Sequence, residues 1–362
     1  MSAGGDTPGD PPDTTGDTPG DTPGETPGGA SDVGARRATW DRRDSGTRVW
    51  NVVDTTAPPE RLAMLRVLVA LFATAYLTVR FPVFWQLGER RGDFDGVGVA
   101  ALLDRPLPAA VVRGTLAVTL VCGVATVAGW RSRVCAPAVA VGMLVLTTYR
   151  SSWGQLLHFE NLCTLHLAIL AAAPVADAWS LDARRRARSV APARPARPAR
   201  PVREPTAYGW PIALCALVVI VTYVIAGIAK LRYGGIDWVL GDSLRNHVAY
   251  AAARNELVGA PVAPLADEFV DLAARVGDVW PLLAAGALAL ELGAPLALFG
   301  GRMRTAWVVA VWAMHIGILL TMRIGFPYPL FGVAFAPFFR IEGLVRPVER
   351  LGGRLAGRVS GR

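Results

Sequence analysis

Long uninterrupted apolar stretches constrain the fold of this chain more than any other feature. Hydrophobic residues make up 52% of the 362 residues, charged residues 18%, and the mean hydropathy is +0.36. A helix needs about 20 predominantly apolar residues to cross a bilayer, and several stretches approach or exceed that length. The sequence therefore predicts an all-α fold, a polytopic transmembrane helical bundle of about eight spans in the cell membrane. The predicted spans are residues 61–80, 107–129, 133–149, 155–177, 208–230, 279–299, 305–323 and 326–339.

Three stretches outside these spans have the composition of tails or connectors. Residues 1–54 begin with Thr-Pro-Gly-Asp repeats that have little to bury, which predicts a disordered tail. The tail contains no apolar segment, so we expect no cleavable signal peptide and expect the first span to direct insertion. Arginine and proline dominate residues 184–203 inside a linker at 182–206, which predicts a stiff, extended connector between the fourth and fifth spans. Residues 341–362 form a basic tail.

The distribution of arginine predicts the orientation in the membrane. Most of the 37 basic residues fall in the two tails, the connector, and the turns at 131–133 and 302–304. These segments share one side of the membrane, and an excess of arginine marks the cytoplasmic side, so both termini are predicted to be cytoplasmic. The same arginines explain the basic pI of about 9.8 without a nucleic-acid partner. Residues 81–106 and 231–278 are then external, and Lys230 lies at the outer end of its helix.

Lys230 is the only lysine among the 37 basic residues, and it follows the apolar run 212–228. Arginine does not release its proton at accessible pH, whereas a lysine removed from water can. Lys230 is therefore the first candidate for a catalytic base. The alternative is that Lys230 anchors the helix end among lipid headgroups, as lysine and arginine both do.

Polar side chains inside other predicted spans also indicate a site, because each costs free energy unless it is paired or faces a cavity. His158 and Asn161 are three residues apart and are predicted to share a helix face at the depth of Lys230. Each polar residue has a structural alternative: a carboxylate can neutralise a buried arginine such as Arg66, and a histidine can serve in packing. Their convergence at one depth favours a functional site. The remaining members of the set are Gln155, Glu160, His166, Glu291 and His315.

The residues around Lys230 resemble a known family. Ala226-Gly227-Ile228-Ala229-Lys230-Leu231 is followed by Asp237-Trp238-Val239, Gly241 and Ser243. This run is similar to the corresponding segment of the vitamin K-dependent gamma-carboxylase and its bacterial relatives, the horizontally transferred transmembrane (HTTM) domain proteins. The resemblance covers residues 55–340. In that family the matching lysine deprotonates a reduced quinone, so the resemblance implies that Lys230 is a base.

Two departures from the family pattern bear on these expectations. The carboxylase carries an asparagine–histidine pair in its fourth span, whereas here the best match runs from Gln155 to Asn161 and places His158 one residue away. After residue 340 only the basic tail follows, with no counterpart of the extracytoplasmic domain that holds the carboxylase's protein substrate. The resemblance therefore leaves open a small or peptide substrate at the outer face, a partner membrane or secreted protein, or loss of the reaction.

The resemblance implies a quinol-dependent enzyme of the carboxylase or epoxidase type, with a reduced quinone of the vitamin K type as cofactor. A neutral Lys230 would take a proton from a hydroquinone that arrives from the lipid. His158, the second catalytic candidate, or else Asn161 or Gln155, would stabilise the resulting oxyanion by hydrogen bonding, in a site shielded from water. The substrate-binding candidates are Gln155, Asn161, Tyr233, Trp238 and His315, and the charge partners are Glu160 and Glu291.

No metal is predicted, because the four cysteines lie in or beside apolar runs without a CxxC pattern or a paired histidine. Tyr233 and Trp238 are expected at interfacial depth, where their rings can stack on a planar ligand.

A function of a different class stays open, since similarity of fold does not transfer activity. The chain would then be a non-enzymatic multi-pass membrane protein, either an accessory subunit or a transporter.

Overall fold

Helices account for all the regular secondary structure in the part of the chain that the structure describes. In this computed structural model that part comprises residues 56–189, 203–257, 268 and 279–344. The α-helices are α1 (Pro59–Val79), α2 (Phe81–Gln86), α3 (Ala109–Ala128), α4 (Ser132–Ser151), α5 (Asn161–Ala171), α6 (Leu181–Ser189), α7 (Thr206–Gly234), α8 (Asp237–Leu240), α9 (Ser243–Leu257), α10 (Val279–Leu292), α11 (Gly301–Met322) and α12 (Pro327–Leu330). Short 3₁₀ helices cover Leu87–Glu89, Gly98–Leu102, Ala294–Phe299, Val333–Phe338 and Ile341–Leu344. The predicted all-α fold is confirmed for these residues.

Among the described residues, five helices are long and apolar enough to cross a membrane: α1, α3, α4, α7 and α11. They coincide within a few residues with the first, second, third, fifth and seventh predicted spans. Each has 20 to 29 residues, the length that a hydrocarbon core requires. The fold is therefore compatible with an integral membrane protein.

The other three predicted spans are shorter or interrupted helices in the structure. Residues 155–177 contain only α5, because the chain remains non-helical until Glu160. Residues 279–299 divide into α10 and the 3₁₀ helix Ala294–Phe299, since Pro295 cannot continue the hydrogen-bond ladder of α10. The last apolar segment divides into α12 and a second 3₁₀ helix around Gly332, whose φ of 74° ends α12.

Helix α6 corrects part of the predicted connector at 184–203, because the beginning of that segment is helical. Ser180 accepts a hydrogen bond from the backbone N–H of Ala183 at 2.9 Å, which caps the start of α6, and no proline follows within the helix. The Ala-Arg-Pro repeats, the predicted disordered tail 1–54 and most of the tail 341–362 lie outside the described residues.

Hydrogen bonds join the arginine-rich segments of the described chain. The backbone N–H of Ala57 donates to the carbonyl oxygen of Pro205 at 3.1 Å, which brings together the starts of α1 and α7. The Asp182 carboxylate accepts the backbone N–H groups of Arg131 and Ser132 at 3.0 and 2.9 Å, which joins α6 to the start of α4. These hydrogen bonds thus join the start of α1 to that of α7, and the start of α4 to that of α6, all of which the sequence assigns to one side of the membrane.

Arg66, two turns into α1, is fully buried and connects α1 to the segment before α6. Its guanidinium donates to the carbonyl oxygens of Val175 and Trp179 at 2.7 and 2.8 Å. Backbone carbonyls, rather than Glu160 or Glu291, therefore compensate this buried charge. Arg66 is thus not the partner of either carboxylate, but the alternative that a carboxylate neutralises a buried arginine is confirmed for Glu160, which pairs with Arg150.

The C-terminal described segment is fastened to α1 by an ion pair with two hydrogen bonds. Arg61 donates from Nε and Nη2 to the two carboxylate oxygens of Glu342 at 2.9 and 2.7 Å. Burial alone raises the pKa of Glu342, but the hydrogen bonds and charge of Arg61 outweigh burial, and the pKa of Glu342 lies below its usual value. The pair therefore stabilises the fold above that lowered pKa, and the contribution is lost as the pH falls through it.

A buried charge network joins α1, α4 and the residue that precedes α5. Arg150 of α4 forms an ion pair with Glu160 at 2.5 Å. Tyr76 of α1 donates its hydroxyl hydrogen to Glu160 and accepts a hydrogen bond from Arg150 at 3.0 Å. The rings of Phe84 and Phe159 lie 5.4 and 5.1 Å from the guanidinium carbon. Because this network joins α1, α4 and the start of α5 inside the bundle, it acts as a structural brace.

We expect Arg150→Met to destabilise the protein by about 3–5 kcal/mol, because the substitution leaves Glu160 buried without its cation. Arg150→Met/Glu160→Leu should recover most of that loss, since an apolar pair of similar volume avoids the cost of burying charge. Unfolding in detergent by a graded denaturant measures both variants. Equal destabilisation of the single and double variants would contradict the role of Arg150 as the counter-ion of Glu160.

Candidate functional site

Lys230 lies one turn before the end of α7 and forms an ion pair with Glu291 of α10. The Lys230 ammonium donates a hydrogen bond to Oε1 of Glu291. The Glu291 side chain is 7% exposed and that of Lys230 is 23% exposed, so the carboxylate is inside the bundle and the ammonium can be reached from outside. The Lys230 ammonium also lies 5.2 Å from the ring centre of Trp238, a distance at which an indole attracts a cation.

Gly227 allows this pairing. It lies three residues before Lys230, on the same face of α7. A Cβ atom at this position would lie 2.8 Å from Cδ2 of Leu292 and 3.2 Å from Cβ of Glu291, both closer than an ordinary contact. The last turn of α10 therefore approaches α7 closely because residue 227 has no side chain.

Tyr223 and His315 form a second polar pair beside the first. Tyr223 is seven residues before Lys230, two turns along the same face of α7, and its hydroxyl lies 3.5 Å from Nε2 of His315 in α11. Nδ1 of His315 lies 2.9 Å from the carbonyl oxygen of Val311, which can only accept. Nδ1 therefore carries the hydrogen in the neutral ring, and Nε2 is the acceptor for the Tyr223 hydroxyl.

Aromatic rings connect this pair to the loop before α5. Phe326 packs edge-on against His315 with ring centres 5.2 Å apart, and its ring lies 6.0 Å from that of His158. His158 is exposed in the non-helical segment, and Asn161 is the first residue of α5. The prediction that His158 and Asn161 share a helix face is therefore wrong, although His158 does lie near His315 through Phe326.

The other predicted site residues occupy different places. Gln155 and Asn161 are exposed, and within the described residues no hydrogen bond joins them to Lys230 or Glu291. Tyr233 is 84% exposed and lies beside Arg232 rather than over Lys230. The sequence-based set is thus only partly assembled around the Lys230–Glu291 pair.

Two further predicted residues belong to the framework. His166 is buried and bonds to the Tyr328 hydroxyl at 2.7 Å and to the Cys215 carbonyl oxygen at 3.0 Å. Its role is packing between α5, α7 and α12. Glu160 belongs to the Arg150 brace rather than to the Lys230 pair, because it lies just before α5 and bonds Arg150 in the last turn of α4.

Sequence reasoning missed Tyr223, Gly227 and His247 as members of the site. The ring of His247 in α9 lies 5.6 Å from that of Trp238, which itself lies over the Lys230 ammonium. Helical periodicity could have found Tyr223 and Gly227, since both share a face with Lys230. No local signal identifies His247, because its position follows from how α9 packs.

The site can hold a proton and recognise a polar group inside an apolar bundle. Its ammonium and carboxylate share a hydrogen bond along which a proton can move, and a tyrosine–histidine pair lies beside them. Comparisons with family models, curated proteins and solved structures found no match. The resemblance to the vitamin K-dependent gamma-carboxylase therefore stays a prediction from the sequence, and what it implies enters below as a proposal.

Gly227→Ala should lower the thermal midpoint in detergent, because the new methyl group displaces Leu292 and Glu291 at a cost of about 1–3 kcal/mol. Gly286→Ala in α10 is the matched control. A Cβ there meets no described atom within 4 Å, and alanine favours a helix over glycine by about 0.5–1 kcal/mol. Equal midpoints for the two variants would show that α7 and α10 do not meet closely at Gly227.

Proposed function

We propose that this chain is a multi-pass protein of the cell membrane, with its arginine-rich segments and both termini in the cytoplasm. The five long apolar helices support the membrane location. The contacts that join the starts of α1, α4, α6 and α7 support the orientation, because arginine accumulates on the cytoplasmic side. The segments that contain α5, α10 and α12 complete the proposed eight spans, and Trp307 and Trp312 of α11 donate hydrogen bonds to the carbonyl oxygens of Leu290 in α10 and Leu330 in α12.

We further propose that the protein is an enzyme of the quinol-dependent carboxylase or epoxidase type, with Lys230 as the base. The observation that carries this proposal is the pairing of the only lysine with a carboxylate buried in the bundle. A reduced quinone, when bound, supplies a ring hydroxyl whose proton must be removed. Two features suit such a ring: the indole of Trp238 beside Lys230, and the polar pair Tyr223–His315 with the ring of Phe326 packed against His315.

The Lys230–Glu291 pair can take up one proton, and the positive charge that it gains is balanced by the anion that the proton leaves behind. The proton that Nζ shares with Oε1 moves onto the carboxylate, and the free amine accepts a second proton in its place. The pair then holds an ammonium and a neutral carboxylic acid, so one proton has been gained and Lys230 again carries a positive charge. That charge faces the atom that has just lost its proton, where it is most stabilising.

Arginine cannot take this role. A guanidinium does not release its proton, and its two-point bonding to a carboxylate holds the carboxylate as an anion. The Arg150–Glu160 pair in the same bundle is of that kind. The chain thus uses arginine for its structural brace and lysine at the proposed site.

The second candidate is a non-enzymatic membrane protein, an accessory subunit or transporter, in which Lys230 anchors the end of α7. The partial exposure of Lys230 and the exposed Tyr233 and Arg232 beyond it favour this reading, because such residues collect at the membrane surface.

In the enzyme, a small molecule or a peptide at the outer face is the proposed second substrate. A partner membrane or secreted protein would deliver it.

Lys230→Arg decides between the two candidates. Arginine keeps the positive charge and the ion pair, so we expect a folded protein that consumes a reduced naphthoquinone about 10²–10⁴-fold more slowly. The measurement uses purified protein in nanodiscs under air, with protein-free nanodiscs as the blank for spontaneous oxidation. Arg232→Lys, on the exposed end of α7, is the matched control and should turn over normally. Undiminished turnover in Lys230→Arg would leave the anchor as the role of Lys230.

A further inference from the structure

The turn between α3 and α4 lies where two of the long apolar helices end. It comprises residues 129–131, because α3 ends at Ala128 and α4 begins at Ser132. Both helices are long and apolar enough to cross a membrane, which places the turn at the level of the lipid headgroups. Trp130 in this turn is half-buried, and tryptophan is enriched at that level of a bilayer.

The start of α6 is fixed against this turn by three hydrogen bonds. The backbone N–H of Asp182 donates to the carbonyl oxygen of Gly129 at 3.0 Å, and the Asp182 carboxylate accepts the backbone N–H groups of Arg131 and Ser132. Gly129 has a φ of 67°, and a Cβ atom there would lie 2.3 Å from Cβ of Ser180. The two segments therefore meet without a side chain between them, and α6 lies beside the turn at the membrane surface.

The arginines of α6 differ in how their charges are compensated. Arg186 faces the protein, where its guanidinium donates to the carbonyl oxygen of Ala176 at 2.8 Å and pairs with Asp177 at 3.1 Å. The other three arginines of α6 are exposed and form no ion pair with a described residue: Arg184, Arg185 and Arg188. Arg184 and Arg188 are four residues apart on one side of the helix, where like charges repel each other.

Guanidinium groups from two different helix ends meet at Trp130. The guanidinium carbon of Arg131 lies 5.2 Å from the ring centre of Trp130, and that of Arg185 lies 6.0 Å from the same point. Arg131 is also exposed and has no ion pair within the described residues. The acidic side chains that contact these segments, Asp177 and Asp182, are already bonded elsewhere. The cluster therefore has no counter-ion in the described part of the chain.

We propose that the arginine surface, made of Arg131, Arg184, Arg185 and Arg188 around Trp130, binds the headgroups of anionic phospholipids. This inference rests on the proposed membrane location and is independent of the proposed reaction. A guanidinium bonds two oxygens of one phosphate group at once, and cations at the membrane surface are attracted to a leaflet with net negative charge. The bound headgroups balance the repulsion within the arginine surface and hold α6 against the membrane.

The test measures how tightly the purified full-length protein, in micelles of a neutral detergent, binds fluorescent phosphatidylglycerol and phosphatidylcholine. The two lipids carry the same acyl chains, so the headgroup alone differs. We expect the wild type to prefer phosphatidylglycerol by at least about tenfold, because each arginine near an anionic surface contributes about fivefold. The preference should decrease as the salt concentration rises from about 0.05 to about 0.5 M, since salt screens exposed charges.

The variant Arg184→Gln/Arg185→Gln/Arg188→Gln removes the α6 part of the arginine surface and should lower the preference by at least about fivefold. Arg131→Gln removes a charge from the other helix end and should lower the preference by about two- to fivefold. The thermal midpoint of each variant in the same detergent checks that it is folded. Because these side chains are exposed, both midpoints should stay near that of the wild type.

The matched control removes the same net charge from exposed positions elsewhere, and should bind both lipids as the wild type does: Arg91→Gln/Arg105→Gln/Arg254→Gln. No headgroup preference in the wild type, an unchanged preference in the α6 variant, or an equal loss in the control would overturn the proposal. Release of phosphatidylglycerol by inorganic phosphate at constant ionic strength would also overturn it, since the surface would then bind a free anion.

The result is separable from the proposed function, because headgroup preference is read without turnover and in micelles. Extraction of the protein from membranes without detergent would count against the membrane location. Undiminished turnover in Lys230→Arg counts against the proposed base and leaves the lipid preference unaffected.

Discussion

The cost of burying charge in an apolar bundle governs how this protein is put together. Each buried ion in the described chain is compensated locally: Arg66 by backbone carbonyls, Arg150 by Glu160 and Tyr76, and Glu291 by Lys230. These contacts connect helices that lie far apart in sequence. Removing one partner leaves an uncompensated charge, which costs several times more than most apolar contacts. The positions of α4, α5, α7 and α10 therefore depend on matched charges as well as on apolar packing.

The two carboxylate pairs differ in what they can do. The guanidinium of Arg150 holds its proton and is enclosed by Tyr76 and two phenylalanine rings, so that pair serves only to position α5. Lys230 is 23% exposed and stands beside an indole. A chain that uses arginine at every other basic position thus has its single lysine in an ion pair with a buried carboxylate.

Local properties of the sequence account for what could be predicted. The five long helices follow from apolar length, and the interruption at Pro295 follows from proline chemistry. The importance of Lys230 follows from its rarity. The partner of Lys230 could not be predicted from the sequence, because Glu291 is 61 residues away and meets Lys230 only where α7 and α10 approach closely at Gly227. The sequence predicts His158 on a helix face, because the predicted span begins at residue 155. The structure differs, since α5 begins only at Asn161.

The Lys230 ammonium is paired with the Glu291 carboxylate inside the bundle. Because the chain has a single lysine, the chemical reactivity of its side-chain amine can be measured directly. Reductive methylation with isotope-labelled formaldehyde modifies only unprotonated amines, and mass spectrometry separates Lys230 from the N-terminal amine. At neutral pH the pairing predicts slow methylation of Lys230 in the wild type and at least about a tenfold faster reaction in Glu291→Gln, because the ammonium then loses its counter-ion. Glu256→Gln should react as the wild type does. Equal methylation rates in the wild type and Glu291→Gln would show that Lys230 is not held by Glu291.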